Sequence, residues 1–144
     1  MYNLLPREVW NSIREEHIRK HGAKCEICGS PERPLQLHER WRYDDRRHVQ
    51  RLVGFQLLCR KCHLVKHIGL AGILADRGEL DYEELVEHFC RVNGCSKEDF
   101  RRHADRAFEV WAKRSVFQWV QDFGEYGRYI DGRMTGARLP AFRR

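Results

Sequence analysis

Four cysteines form two short pairs, Cys25-Glu26-Ile27-Cys28 and Cys59-Arg60-Lys61-Cys62, with thirty residues between them. A C-x2-C turn converges two thiolates from one tight bend, and two such turns supply the soft ligands of a tetrahedral structural zinc site. The thiols must deprotonate to bind, so the metal would contribute folding free energy as well as geometry. His38 and Glu39 lie between the pairs, and His63 and His67 follow the second one directly. Imidazoles suit Zn²⁺, Mn²⁺ or Ni²⁺, whereas Mg²⁺ prefers oxygen ligands. A His-rich set with one Glu therefore leans toward the transition metals. His67 stands four residues after His63, on the same helical face, and reads equally as a ligand or as a solvent-facing side chain. Cys90 and Cys95 fall outside the pairs and read as ordinary core or loop cysteines, and His17, His21, His48, His88 and His103 read as structural.

These groups need elements to carry them. Pro6 suits the start of a helix and Gly22 its end, with Val9, Trp10, Ile13 and His17 on one face and Trp10 as a core anchor. Gly29 to Pro34 reads as turn and loop. Leu35-Gln36-Leu37-His38 alternates apolar and polar, as a short strand does, and ends in His38. Trp41 to Arg47 is charged and aperiodic and is predicted as a loop. Val49 to Leu58 reads as a second strand with Gly54 as a bend or bulge. A helix is expected from Lys61 to about Leu70, then a linker-like stretch punctuated by Gly69, Gly72 and Gly78. Asp81 with Glu84 opens a helix that stops at Asn93-Gly94. Ser96 with Asp99 opens a longer one whose apolar stripe, Phe100, Ala104, Ala107, Phe108, Trp111 and Trp119, is packing surface. From Arg128 onward the chain reads as a mobile basic tail. The expected organisation is a zinc-bound module over 1–75, a helical extension over 76–127 and the tail over 128–144.

The 144 residues carry a formal net charge of +6. Residues 1–70 hold fourteen Lys and Arg against eight Asp and Glu, while residues 71–144 hold thirteen of each. The excess therefore lies wholly in the half that carries the cysteine pairs, and a polyanion is the natural partner for it. Arg40, Arg42, Arg46, Arg47, Arg51, Lys61 and Lys66 are the candidate nucleic-acid contacts. Trp41, interleaved among them, either stacks on a base or packs over the strands. No signal peptide and no membrane-length apolar segment stands out, so a reducing cytoplasm with metal-bound thiols is the expected setting.

The order of knuckle, strand ending in His, strand, knuckle and helix starting with His resembles the HNH endonuclease family. The matching residues are Cys25-x2-Cys28-Gly29, Leu35-Gln36-Leu37-His38-Glu39 and Phe55-Gln56-Leu57-Leu58-Cys59-x2-Cys62-His63-x2-Lys66-His67, within about residues 10–70. The resemblance implies an α+β fold, a small ββα-metal unit on a treble-clef zinc scaffold, here with an N-terminal helix and a C-terminal helical extension. It implies metal-dependent hydrolysis of phosphodiester bonds, in DNA more than RNA. His38 and His63 match the family's metal ligands, and Glu39 occupies the general-base position. Two positions depart from the family pattern: the base is Glu39 rather than His, and Gly54 stands where the family has the Asn that orients the base. His38 can itself serve as the base, with Glu39, His63 and His67 holding the cation. The rival expectation is a nuclease-inactive zinc module that binds nucleic acid or a protein. Exposure of Trp111 and Trp119 would favour a protein partner on the C-terminal helices.

Overall fold

The first helix, α1 (Arg7–His21), begins where Pro6 presets the backbone and ends at Gly22, whose φ of +86° suits a residue without Cβ. The computed structural model describes residue 1, residues 3–130 and the backbone of 136–138. Trp10 is 7% exposed, the core anchor expected of it.

Two long antiparallel strands follow, β1 (Leu35–Asp44) and β2 (Val49–Cys59). The pairing runs from Leu35 opposite Cys59 to Asp44 opposite Val49, with a bulge where Arg40 pairs Gly54 but Trp41 pairs Leu52. Gly54 takes the bend, at φ +154°. The expected loop over 41–47 is thus mostly strand. Trp41 and Tyr43 supply the reason, since they pack edge-on against Phe123 and Trp119 at 5.6 and 5.3 Å, partners far off in the chain. The turn itself is short. Asp44 Oδ1 accepts the N–H groups of Arg46 and Arg47, and His48 closes the reversal at φ +53°.

The second knuckle leads straight into α2 (Arg60–Lys66), which breaks at His67 and resumes as α3 (Ile68–Asp76). The stretch over 69–78 that reads as a linker is therefore largely helix. Burial of Ile68 and Ala71 against α4 (Tyr82–Asn93) and α5 (Lys97–Ser115) outweighs the poor helix propensity of Gly69 and Gly72. The caps of α4 and α5 are the expected ones. Asp81 accepts from Glu84 N, Gly94 ends α4 in the left-handed conformation, and Ser96 with Asp99 forms a reciprocal capping box.

The apolar stripe of α5 stops short of its expected end. The helix finishes at Ser115, and Trp119 belongs instead to β3 (Gln118–Asp122), which pairs parallel to β2 over Val49–Arg51. There Trp119 is 1% exposed, and its Nε1 donates to Arg114 O at 2.8 Å. Trp111 is half-buried, so neither tryptophan presents an open stripe. A short 3₁₀ turn (Gly124–Tyr129) packs Tyr126, Tyr129 and Ile130 back on the first core, and β4 (Gly136–Arg138) completes a four-stranded sheet in the order β1-β2-β3-β4. Residues 128–130 thus belong to the fold, and the rest of the expected tail lies largely outside the described residues. Among the described residues no helix is long and apolar enough to cross a membrane.

Candidate functional site

Cys25 and Cys28 sit in a tight turn closed by Gly29 N donating to Cys25 O and Cys25 N to Ser30 O, at 2.9 and 2.8 Å. Cys59 ends β2 and caps α2, its sulfur accepting from Cys62 N at 3.5 Å. The β1–β2 hairpin and Glu26 N donating to Leu57 O at 2.9 Å bring the two turns face to face. The four sulfurs lie within 4.8 Å of one another, and Cys28 Sγ is 3.7 Å from Cys59 Sγ. Thiolates at about 2.3 Å from a tetrahedral ion stand roughly 3.8 Å apart. The cluster can hold a metal ion, and its spacing is compatible with structural zinc.

Ionisation within the cluster is uneven. Burial opposes it at Cys25, but the N–H groups of Cys28, Cys59 and Ile27 aim at that sulfur and bring the thiol down to about 7. Burial pushes Cys59 and Cys62 up, and the neighbouring thiolates push them further. Four thiolates cannot gather here without a cation among them. His88, read from the sequence as structural, is 8% exposed and brings Nε2 to 3.2 Å from Cys62 Sγ. As a donor it satisfies a lone pair of the sulfur that burial disfavours most. Only the packing of α4 against α2 brings it there, and no local spacing signals it.

The second group is His38 on β1, His63 on α2 and His67 at the end of α2. One nitrogen of each lies within 4.8 Å of the others, and the rings meet edge-on at centroid distances of 4.6 to 5.2 Å. Strand alternation puts Gln36 on the face of His38, and Gln36 Oε1 accepts from His63 Nδ1 at 2.6 Å. That bond holds the proton on Nδ1 and leaves Nε2 to accept. Gln36 is the second functional residue that the sequence reading missed. Its signal was the alternation two residues before His38. Burial, then the neighbouring His67 and His63, depress His38 to about 4. Burial also lowers His63 and His67. All three rings are therefore neutral at pH 7, with lone pairs available. His38 Nδ1 is buried without a hydrogen-bond partner among the described residues. A buried, unsatisfied ring nitrogen beside two more imidazoles fits a divalent cation.

Glu39 stands apart from this group. Alternation along β1 turns it away from His38, and its Oε1 pairs with the Met1 amino group at 3.0 Å. Its charge still reaches the rings and raises the basicity of all three histidines.

Of the expected phosphate contacts, Arg40 and Arg42 are exposed two and four residues beyond His38 on β1, and Arg46 and Arg47 are exposed at the hairpin turn. Lys66 is exposed one residue before His67. Arg51 is paired with Asp122 and Lys61 with Glu84, each at 2.9 Å. Trp41 is half-buried against Phe123, which favours packing over base stacking. Comparison with protein-family models, curated proteins and solved structures finds no match to this chain.

Proposed function

We propose that this chain is a metal-dependent, HNH-like nuclease that hydrolyses phosphodiester bonds in nucleic acid, DNA in preference to RNA. Cys25, Cys28, Cys59 and Cys62 would hold structural zinc in a treble-clef arrangement, and His38, His63 and His67 would hold the divalent cation. The observation that carries the reading is the convergence of three neutral imidazoles, one with a buried unpartnered nitrogen, beside a four-thiol cluster. When bound, the cation supplies polarisation of the scissile phosphate and acidification of water. The chain's own residues orient the reacting groups. Gln36 sets the His63 tautomer, and Arg40, Arg42 and Lys66 offer positive charge along the approach to the imidazoles.

A second reading, a nuclease-inactive zinc module that binds nucleic acid or a protein partner, is favoured by one pair of observations. Glu39 at the base position is engaged with the Met1 amino group, and Gly54 at the Asn position has no side chain to orient it. Nicking of plasmid DNA and cleavage of structured RNA, with Mg²⁺, Mn²⁺, Ni²⁺ or Zn²⁺ supplied in turn, separates the two. The nuclease reading expects cutting that needs an added cation and disappears in the His38→Ala/His63→Ala double variant. A loss of on the order of 10²–10⁴-fold in Glu39→Gln assigns that carboxylate as the base or as a ligand of the cation. A loss below about tenfold leaves it a field effect on the imidazoles. Absence of cutting by the unaltered protein with every cation supports the binding module instead.

A further inference from the structure

We infer that His17, His21 and Glu26 form a third metal site, for a divalent first-row transition ion such as zinc or nickel, independent of the nuclease reading. His17 and His21 stand at i and i+4 on the last turn of α1, with ring centroids 4.4 Å apart. Glu26 reaches them from inside the first knuckle. Its Oε2 lies 2.6 Å from His17 Nε2, and one donor atom from each of the three residues falls within 4.8 Å of the others.

The carboxylate is the pre-organised ligand of the set. Glu26 is clamped to β2 twice, its N–H donating to Leu57 O at 2.9 Å and its Oε2 accepting the Leu57 N–H. Oε1 has no hydrogen bond among the described residues, so the same carboxylate has a free oxygen to offer. The His17 side chain is 13% exposed and that of Glu26 23%, whereas His21 stands open to solvent. A fixed ligand with little rotamer freedom left loses less entropy on binding.

Two imidazoles and one carboxylate are a donor set that zinc and related ions accept, with a fourth position left for water. Ligands at about 2.0 Å from a tetrahedral ion stand roughly 3.3 Å apart. His17 and Glu26 therefore open by roughly 0.7 Å from 2.6 Å when the ion replaces the shared proton. The location also suits a cation, because the carbonyls at the C-terminus of α1 carry the negative end of the helix dipole. Arg19 and Lys20 oppose this, but both are exposed and Glu16 pairs with Lys20 at 2.9 Å. An ion here would staple the end of α1 to the residue beside Cys25 across the short reversal over 22–25. Its occupancy would steady the first knuckle without using a thiolate.

The test titrates Ni²⁺ by calorimetry into the full chain loaded with a single equivalent of zinc, enough for the four thiols alone, in a His38→Ala/His63→Ala/His67→Ala background that removes the other imidazole group. One equivalent should bind, and either His21→Gln or Glu26→Gln should weaken it at least about tenfold. Gln at position 26 can still accept the Leu57 N–H, so the fold survives that change. No uptake by the folded triple variant overturns the site. So does uptake that ignores both His21→Gln and Glu26→Gln, which would place the ion on surface imidazoles elsewhere. Should the triple variant fail to fold, the unaltered chain serves. Its count of bound Ni²⁺ should fall by one on His21→Gln, and an unchanged count overturns the proposal.

Discussion

His38 bears the largest local cost in the imidazole group. It is drawn from solvent between β1 and α2, its Nδ1 has no partner among the described residues, and its ring is pushed down to about 4 from an ordinary value of 6.5. The consequence for stability has a definite sign. Below pH 6.5 the unfolded chain takes up a proton at this residue while the folded chain does not, so folding weakens as pH falls from 6.5 toward 4. The lowered His63 and His67 act in the same direction. In denaturant melts of metal-free protein, His38→Ala should flatten the fall in stability across that window. An unchanged slope would show that other groups dominate it. Added divalent metal should steepen the same fall, because protons and the cation compete for the same lone pairs.

At the scale of elements, the β1–β2 hairpin is the jig for both the four-thiol cluster and the three-imidazole group. Pairing Leu35 with Cys59 aligns the first and second knuckles, and pairing His38 with Gln56 sets His38 beside the helix that starts four residues later. Leu57 lies at the centre of this arrangement. It is fully buried, shares a core with Trp10, Leu35 and Leu37, and its backbone clamps Glu26 through both N–H and C=O. Leu57→Ala keeps the backbone bonds but leaves a cavity, and should cost about 2–5 kcal/mol in equilibrium unfolding. A cost below about 1 kcal/mol would mean that the core collapses around the gap. The knuckles depend on the same core, so zinc released to a chelator should leave this variant faster than the unaltered protein.

For the whole molecule, two cores meet at α2. One lies under the sheet and α1, and the other among α2, α3, α4 and α5. The chain after α5 pairs with the sheet through β3 and packs Tyr126, Tyr129 and Ile130 on the first core, so this segment reinforces the sheet that carries His38. Arg114 shows the coupling in one side chain, donating to both Asp45 oxygens at 2.9 and 3.1 Å while its guanidinium lies 4.0 Å over the Tyr43 ring. Of the expected phosphate contacts, Arg40, Arg42, Arg46, Arg47 and Lys66 are exposed and form no ion pair among the described residues. Affinity for nucleic acid should fall steeply with salt, and Arg46→Ala/Arg47→Ala should reduce the slope of log K against log salt by at most about two units. Arg51 and Lys61, already paired with carboxylates, should each matter less. Binding indifferent to salt would remove the phosphate-contact reading.

Some of this was written into short stretches of chain. C-x2-C spacing is enough to form a knuckle because the turn and its ligands are local. Asp81, Gly94 and Ser96 announced their helix ends because capping bonds span only a few residues. The cysteines and histidines between residues 25 and 67 likewise marked where side chains able to hold a metal ion come together. What local patterns could not settle was decided by partners distant in sequence. Trp41 and Tyr43 are strand rather than loop because Phe123 and Trp119 cover them, and Gly69 and Gly72 are helical because Ile68 and Ala71 bury beside α4 and α5. Trp119 left the stripe of α5 for a strand because β2 offered it an edge to pair with. Gln36 and His88 reached His63 and Cys62 across 27 and 26 residues, and pleating turned Glu39 away from the histidine beside it. Ligand identity follows from residue type and spacing, whereas orientation follows from which surfaces the whole chain finds to bury.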